Sequence, residues 1–181
     1  MLLLCRNNNM VLKTEMDTST STAYVVRING ENVEPEKAGI SIFDHGFLFG
    51  DSIYEVVRTV KGKPLAVEEH FKRLRNSAGR ISLKLPWTDE DLESEIDAII
   101  LDALWEGETY IRMVITRGVG KIELMPDSCV NPVLILIGKA LPEFPPELLT
   151  RGLKLCVTDV IRNSKLAMDP AIKSGNYLNN T

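Results

Sequence analysis

Ile53-Tyr54-Glu55-Val56-Val57-Arg58-Thr59-Val60 leads through Lys61-Gly62-Lys63-Pro64 into Val67-Glu68-Glu69-His70-Phe71-Lys72-Arg73-Leu74-Arg75-Asn76-Ser77-Ala78-Gly79-Arg80-Ile81. The first run is short and rich in β-branched and aromatic residues, which predicts a strand over Ile53–Val60, turned by Gly62 into a second short strand around Pro64–Ala66. In the second run, Val67, Phe71, Leu74, Ala78 and Ile81 recur at spacings of four, three, four and three, the buried stripe of a helix. A strand followed by an amphipathic helix indicates an α/β-type chain.

The flanking sequence extends this pattern. Thr88 is a natural N-cap with Asp91 three residues on, and Leu92, Ile96, Ile99 and Ala103 share one face of a second helix that should end at Gly107. Tyr110–Arg117 reads as a strand, followed by a turn at Gly118-Val119-Gly120. The continuous apolar run Val133–Ile137 predicts a strand buried on both faces. Upstream, Tyr24–Ile28 reads as a strand closed by the turn pair Asn29-Gly30. Three prolines within Leu141–Pro146 mark a linker, after which Leu153–Ile161 has strand character and Lys173 begins a helix. The expectation is an α/β fold. Residues 1–22 form a polar leader, and 23–141 a small α+β N-terminal domain with a mixed sheet and two helices. Residues 142–147 make the linker, and 148–181 the truncated start of a second domain.

Composition bounds the functions available. The 181 residues are 44% hydrophobic, enough for a packed core, and the net charge of −4 gives no global attraction to nucleic acid or an anionic membrane. No apolar run approaches the roughly 20 residues needed to span a bilayer. Three scattered cysteines (Cys5, Cys129, Cys156) and two histidines predict neither a disulfide framework nor a structural metal site, and suit a reducing, cytoplasmic setting.

Alternation along the strands puts Tyr54, Val56 and Arg58 on one face, and Tyr110, Arg112 and Val114 on one face of another strand. Guanidinium beside phenol on a sheet face suits a substrate carboxylate; the plainer reading is a solvated face with snorkelling arginines. Arg73 stands on the shoulder of its helix, one turn from His70 and one from Ser77, within reach of an anion or simply solvated. His70 reads as a helix-flank histidine. Lys173 lies among small residues, in Pro170-Ala171-Ile172-Lys173-Ser174-Gly175-Asn176-Tyr177, where something bulky can approach it. An ordinary lysine, with a reference pKa of about 10.4, is almost entirely protonated at neutral pH and needs its environment to make it a nucleophile.

Four segments in order resemble the pyridoxal-phosphate-dependent class IV aminotransferases, which include branched-chain amino acid aminotransferase, D-amino acid transaminase and aminodeoxychorismate lyase. They are Ile40–Glu55, Glu69–Leu74, Tyr110–Arg112 with Thr116-Arg117-Gly118, and Pro170–Asn180. The resemblance spans about Tyr24 to Thr181 and implies that Lys173 forms a Schiff base with pyridoxal 5'-phosphate and shuttles the substrate proton. It further implies that Arg73 holds the cofactor phosphate and that Tyr177 bonds near its phenolic oxygen. Tyr54, Arg58, Tyr110, Arg112 and Arg117 would shape the substrate pocket. No metal is implied. The expected reaction moves an amino group between an amino acid, preferably a branched-chain L-amino acid, and 2-oxoglutarate, in a homodimer. D-amino acid transamination and the lyase reaction are the alternatives within the family. Family members continue well past the lysine segment into the cofactor-binding domain. The competing reading is therefore a truncated, non-catalytic relative that serves as a dimerising or ligand-binding module.

Overall fold

Asn29 and Gly30 both take positive φ, 50° and 88°, the backbone of a two-residue hairpin turn whose twist matches the strands it joins. In the computed structural model, which describes residues 24–157 and 159–180, that turn links β1 (Val25–Ile28) to β2 (Glu31–Val33). The leader lies outside the described residues. The strand-to-helix reading holds: β3 covers Ser52–Val60, β4 is the short Lys63–Pro64, and α2 runs Val67–Arg80 with Phe71, Leu74 and Ala78 buried along its stripe. A brief α1 (His45–Phe49), capped by Asp44, precedes them. In α3 (Asp89–Leu101), the Thr88 hydroxyl accepts from the Asp91 N–H while the Asp91 carboxylate accepts from the Thr88 N–H, the reciprocal box expected from the sequence. β5 (Thr109–Thr116), β6 (Val133–Ala140) and a short α4 (Pro146–Arg151) complete the elements that concern the site.

One six-stranded sheet, in the order β2-β1-β6-β5-β3-β4, results, and every pairing is antiparallel. The α/β class is as expected, but the sheet is not mixed. The chain passes through β4, α2 and α3 between β3 and β5 and returns antiparallel to β3, where a parallel neighbour would have required a crossover to the opposite end of the sheet. Both helices cover one face. Ile53, Val57, Ile111, Met113, Ile115, Leu134 and Leu136 point from the sheet into Phe71, Leu74, Leu92, Ile96 and Ile99, forming a single core. Register pairs Tyr54 with Val114, Val56 with Arg112 and Arg58 with Tyr110, so the two predicted polar-aromatic faces are one continuous face, opposite the helices.

Four local expectations are corrected. β6 is buried on one face only: Leu134 and Leu136 are core, whereas Ile135 and Ile137 line an apolar groove of about 560 Å³ with Val26, Ile28 and Ile40. The helices cover one side of the sheet, and the apolar run alone could not say so. α3 stops at Leu101, short of Gly107, whose positive φ of 87° belongs to the turn leading into β5. No strand forms at the described residues of 153–161, and Leu155, Val157 and Ile161 are exposed. An extended segment gains its backbone bonds only from a neighbouring strand, and none lies beside it among the described residues. Nor does Lys173 open a helix. Ser174 instead bridges to Ile53 on the free edge of β3, which claims the backbone groups a helix would need, and only a 3-10 turn at Leu178–Asn180 follows.

Candidate active site

The lysine segment is fastened at five points. Asp169 pairs with Arg80 near the end of α2, and Ile172 packs against the core. The Lys173 N–H donates to Ser77 Oγ on α2 at 3.1 Å. The Tyr54 N–H donates to the Lys173 carbonyl at 2.9 Å, and the Gly175 N–H to the Ser52 carbonyl at 2.8 Å. Gly175 packs closely on Ser52, and a Cβ there would force the Ser52 hydroxyl to turn away. Lys173 is thus carried on a rigid strand edge rather than a free loop.

Its ammonium lies 4.0 Å from the centroid of the Tyr54 ring, a ring that also carries the Arg112 guanidinium at 4.2 Å. Tyr177 faces the same tyrosine, with ring centroids 5.5 Å apart. Beside this group opens a cavity of about 750 Å³ whose walls include Lys173, Tyr177, Asn176, Asn76 and Arg73. That volume falls in the range of small-molecule sites.

Arg73 reaches the cavity from α2, but it is not simply solvated or reserved for an outside anion. Its Nε and Nη2 each donate at 2.6 Å to the two oxygens of Glu55. The Glu55 side chain is 1% exposed, and His70 Nδ1 lies 2.9 Å from one of its oxygens. Because an ionised carboxylate only accepts, that nitrogen carries the proton. Burial alone would raise the Glu55 pKa, but the hydrogen bonds from Arg73 and then His70 outweigh it and hold the carboxyl below its ordinary value. The same Glu55 bond pushes Arg73 upward, so it stays cationic. With its folded pKa depressed, Glu55 contributes stability in full above the unfolded value and loses it as pH falls through the lower folded one. Urea midpoints of the wild type should therefore decline below about pH 4 more steeply than those of Glu55→Gln. Parallel declines would show that this carboxylate is not linked to folding.

The sequence model of the amino-transferase class IV family matches residues 52–181. The chain belongs to the class IV aminotransferases. It is 37% identical over 157 residues to a putative branched-chain-amino-acid aminotransferase of Methanocaldococcus jannaschii, covering 85% of this chain and 52% of that protein. It is 36% identical to a D-alanine aminotransferase of Staphylococcus haemolyticus, with 86% and 53% covered. Among solved structures, the Escherichia coli branched-chain amino acid aminotransferase superposes with a TM-score of 0.78 at 24% identity, over 87% of this chain and 53% of that one. The branched-chain amino acid aminotransferase of Thermoproteus uzoniensis, solved with norvaline, gives 0.71 at 23% identity, over 87% and 53%. The chain spans about half the length of the curated relatives it matches.

Within this class IV aminotransferase chain, the structure gathers most of the residues singled out from sequence. Lys173, Arg73 and Tyr177 share the cavity wall, with Tyr54 and Arg112 against Lys173. Tyr110 and Arg58 sit further along the same sheet face, where Lys139 lies 5.4 Å from the Tyr110 ring. Arg117 is elsewhere. It is 8% exposed, pairs through Nε and Nη2 with Asp51, and donates to the Ile81 and Ser82 carbonyls at 2.7 and 3.2 Å. Every donor group of its fork is spent on the fold, so its expected place in the substrate pocket is corrected to a tie between β5 and the end of α2. Glu55 and Ser77 escaped the sequence reading. A lone acid on the same strand face as the core residues Ile53 and Val57 was the available signal for Glu55.

The donor set suits pyridoxal phosphate. A primary amine for the aldehyde, a guanidinium for the phosphate and a phenol for the ring oxygen converge on one cavity. Nη1 of Arg73 makes no hydrogen bond among the described residues and so remains for such an anion.

Proposed function

We propose that this chain carries the lysine-bearing half of a pyridoxal-phosphate-dependent aminotransferase acting between a branched-chain L-amino acid and 2-oxoglutarate. The observation that carries the reading is the Lys173 amine on the wall of a cavity shared with Arg73 and Tyr177. Pyridoxal phosphate, when bound, supplies the electron sink for amino-group transfer. Lys173 Nζ anchors it and moves the proton at the substrate Cα. Arg73 holds the phosphate and Tyr177 the ring oxygen. Arg112 takes a substrate carboxylate over the face of Tyr54, with the aliphatic Val56 and Val114 beside it for the side chain. Tyr110 and Arg58 extend the same pocket. The small domain of this reading is 23–141, with a linker at 142–147 and the opening of the large domain at 148–181. A cytoplasmic homodimer is the assembly we favour, with the apolar groove along Ile135 and Ile137 as the surface a second copy would cover.

Borohydride reduction in the presence of pyridoxal phosphate should leave the cofactor's mass on the peptide containing Lys173; no adduct in a folded protein rejects the reading. Arg73→Ala should weaken cofactor retention by about 10- to 100-fold, the worth of one charge-assisted contact, while Arg112→Ala acts mainly on substrate. Equal losses of cofactor would mean the two arginines are wrongly assigned. A second reading, D-amino acid transamination, is favoured by the D-alanine aminotransferase relatives. Comparing L-leucine with D-alanine as donor to 2-oxoglutarate separates the two, and activity with D-alanine alone would replace the branched-chain assignment.

A further inference from the structure

Glu55 is the most deeply buried carboxylate among the ion pairs of the described residues. Its side chain is 1% exposed, against 17% for Glu95, 24% for Asp51, 35% for Asp169 and 55% for Asp89. It projects from the helix-facing side of β3 between Ile53 and Val57, where an apolar side chain would be the cheaper choice for the fold.

What Glu55 does is visible in its partners. Arg73 is half exposed and hangs from α2 on a long flexible stem, so by itself it would sweep many orientations. Glu55 takes the Nε–Nη2 edge of the guanidinium with both oxygens, while His70, one turn earlier on α2, donates to Oε2 and fixes the carboxylate itself. The fork is left with one open edge, at the cavity that Lys173 also lines. From this geometry we infer that Glu55 is a positioning residue: buried behind Arg73, it pre-orients the guanidinium so that its free edge meets the phosphate of a phosphorylated aldehyde cofactor. The inference rests on the proposed function and specifies how its phosphate contact is built. Pre-organisation of this kind raises affinity by removing ordering costs at the moment of binding.

Phosphate recognition can be read apart from aldehyde chemistry by titrating the full chain with pyridoxal phosphate and with pyridoxal, scoring reductive labelling of Lys173 for each. The wild type should favour the phosphorylated ligand. Glu55→Gln keeps shape and volume but loosens the clamp, and should cut that preference by about tenfold with labelling by pyridoxal unchanged. In an Arg73→Ala background the same change should have no further effect on the preference, because Glu55 acts through Arg73. A simple loss of packing would weaken both ligands alike. If Glu55→Gln does not fold, Glu55→Asp, which keeps the charge but shortens its reach, should show the same selective loss. Full phosphate preference in the folded variant, or an equal effect with and without Arg73, overturns the assignment of Glu55. If the wild type labels equally with the two aldehydes, it is instead the phosphate role of Arg73 that falls.

Discussion

On the proposed function, Lys173→Ala is expected to reduce amino-group transfer on the order of 10³-fold or more, since it would remove both the anchoring amine and the group assigned to move the Cα proton. The fold should be unaffected. The backbone bonds of residue 173 to Ser77 and Tyr54 do not depend on its side chain, and the amine touches only the face of Tyr54 among the described residues. Urea midpoints should therefore agree within about 0.5 kcal/mol, as for surface substitutions generally. Initial rates with L-leucine and 2-oxoglutarate, read beside the melting curve, make the test. A variant that is folded and still active would remove Lys173 from the chemistry and the proposed function with it.

Arg117→Ala should have the opposite profile. Its guanidinium ties Asp51, at the mouth of β3, to the carbonyls of Ile81 and Ser82 beyond α2, and the Arg117 N–H also donates to the Asp51 carbonyl at 3.1 Å. Truncation leaves a partly buried carboxylate and two carbonyls without their donor, at a cost of about 2–4 kcal/mol; the lower part of that range reflects the access of water to Asp51. Arg112→Ala, by contrast, loses a cation resting on an aromatic face, worth on the order of 1 kcal/mol. Denaturant unfolding of the two variants side by side should show Arg117→Ala as much the less stable. If the order is reversed, Arg117 is not the structural tie described here.

These two lysine and arginine positions show where sequence reasoning reaches and where it stops. Lys173 was singled out by the resemblance of Pro170–Asn180 to the family's lysine segment; the small residues around it permit a close approach but by themselves leave it an ordinary lysine. The strands β1, β3, β5 and β6, the two long helices, the Thr88–Asp91 cap and the Asn29-Gly30 turn were legible because each is specified by residues within a few positions of one another, whereas the strand expected over 153–161 depends on a distant partner. Arg117 was misplaced because a guanidinium on a strand looks the same in sequence whether its partner is a substrate or Asp51, which lies 66 residues earlier.

The amino-acid sequence thus determined the main strands and the two long helices between Val25 and Ala140 and which side chains share a strand face, since periodicity and turn chemistry are local. Only the tertiary structure decided that every strand pairing is antiparallel, and that the lysine segment lies on the edge of β3 rather than in a helix. It also decided which charges face ligand and which face protein. Glu55 claims one edge of Arg73 from 18 residues away, a choice made by the packing of β3 against α2. A charged group takes the partner that folding brings to it, and that depends on contacts between distant segments.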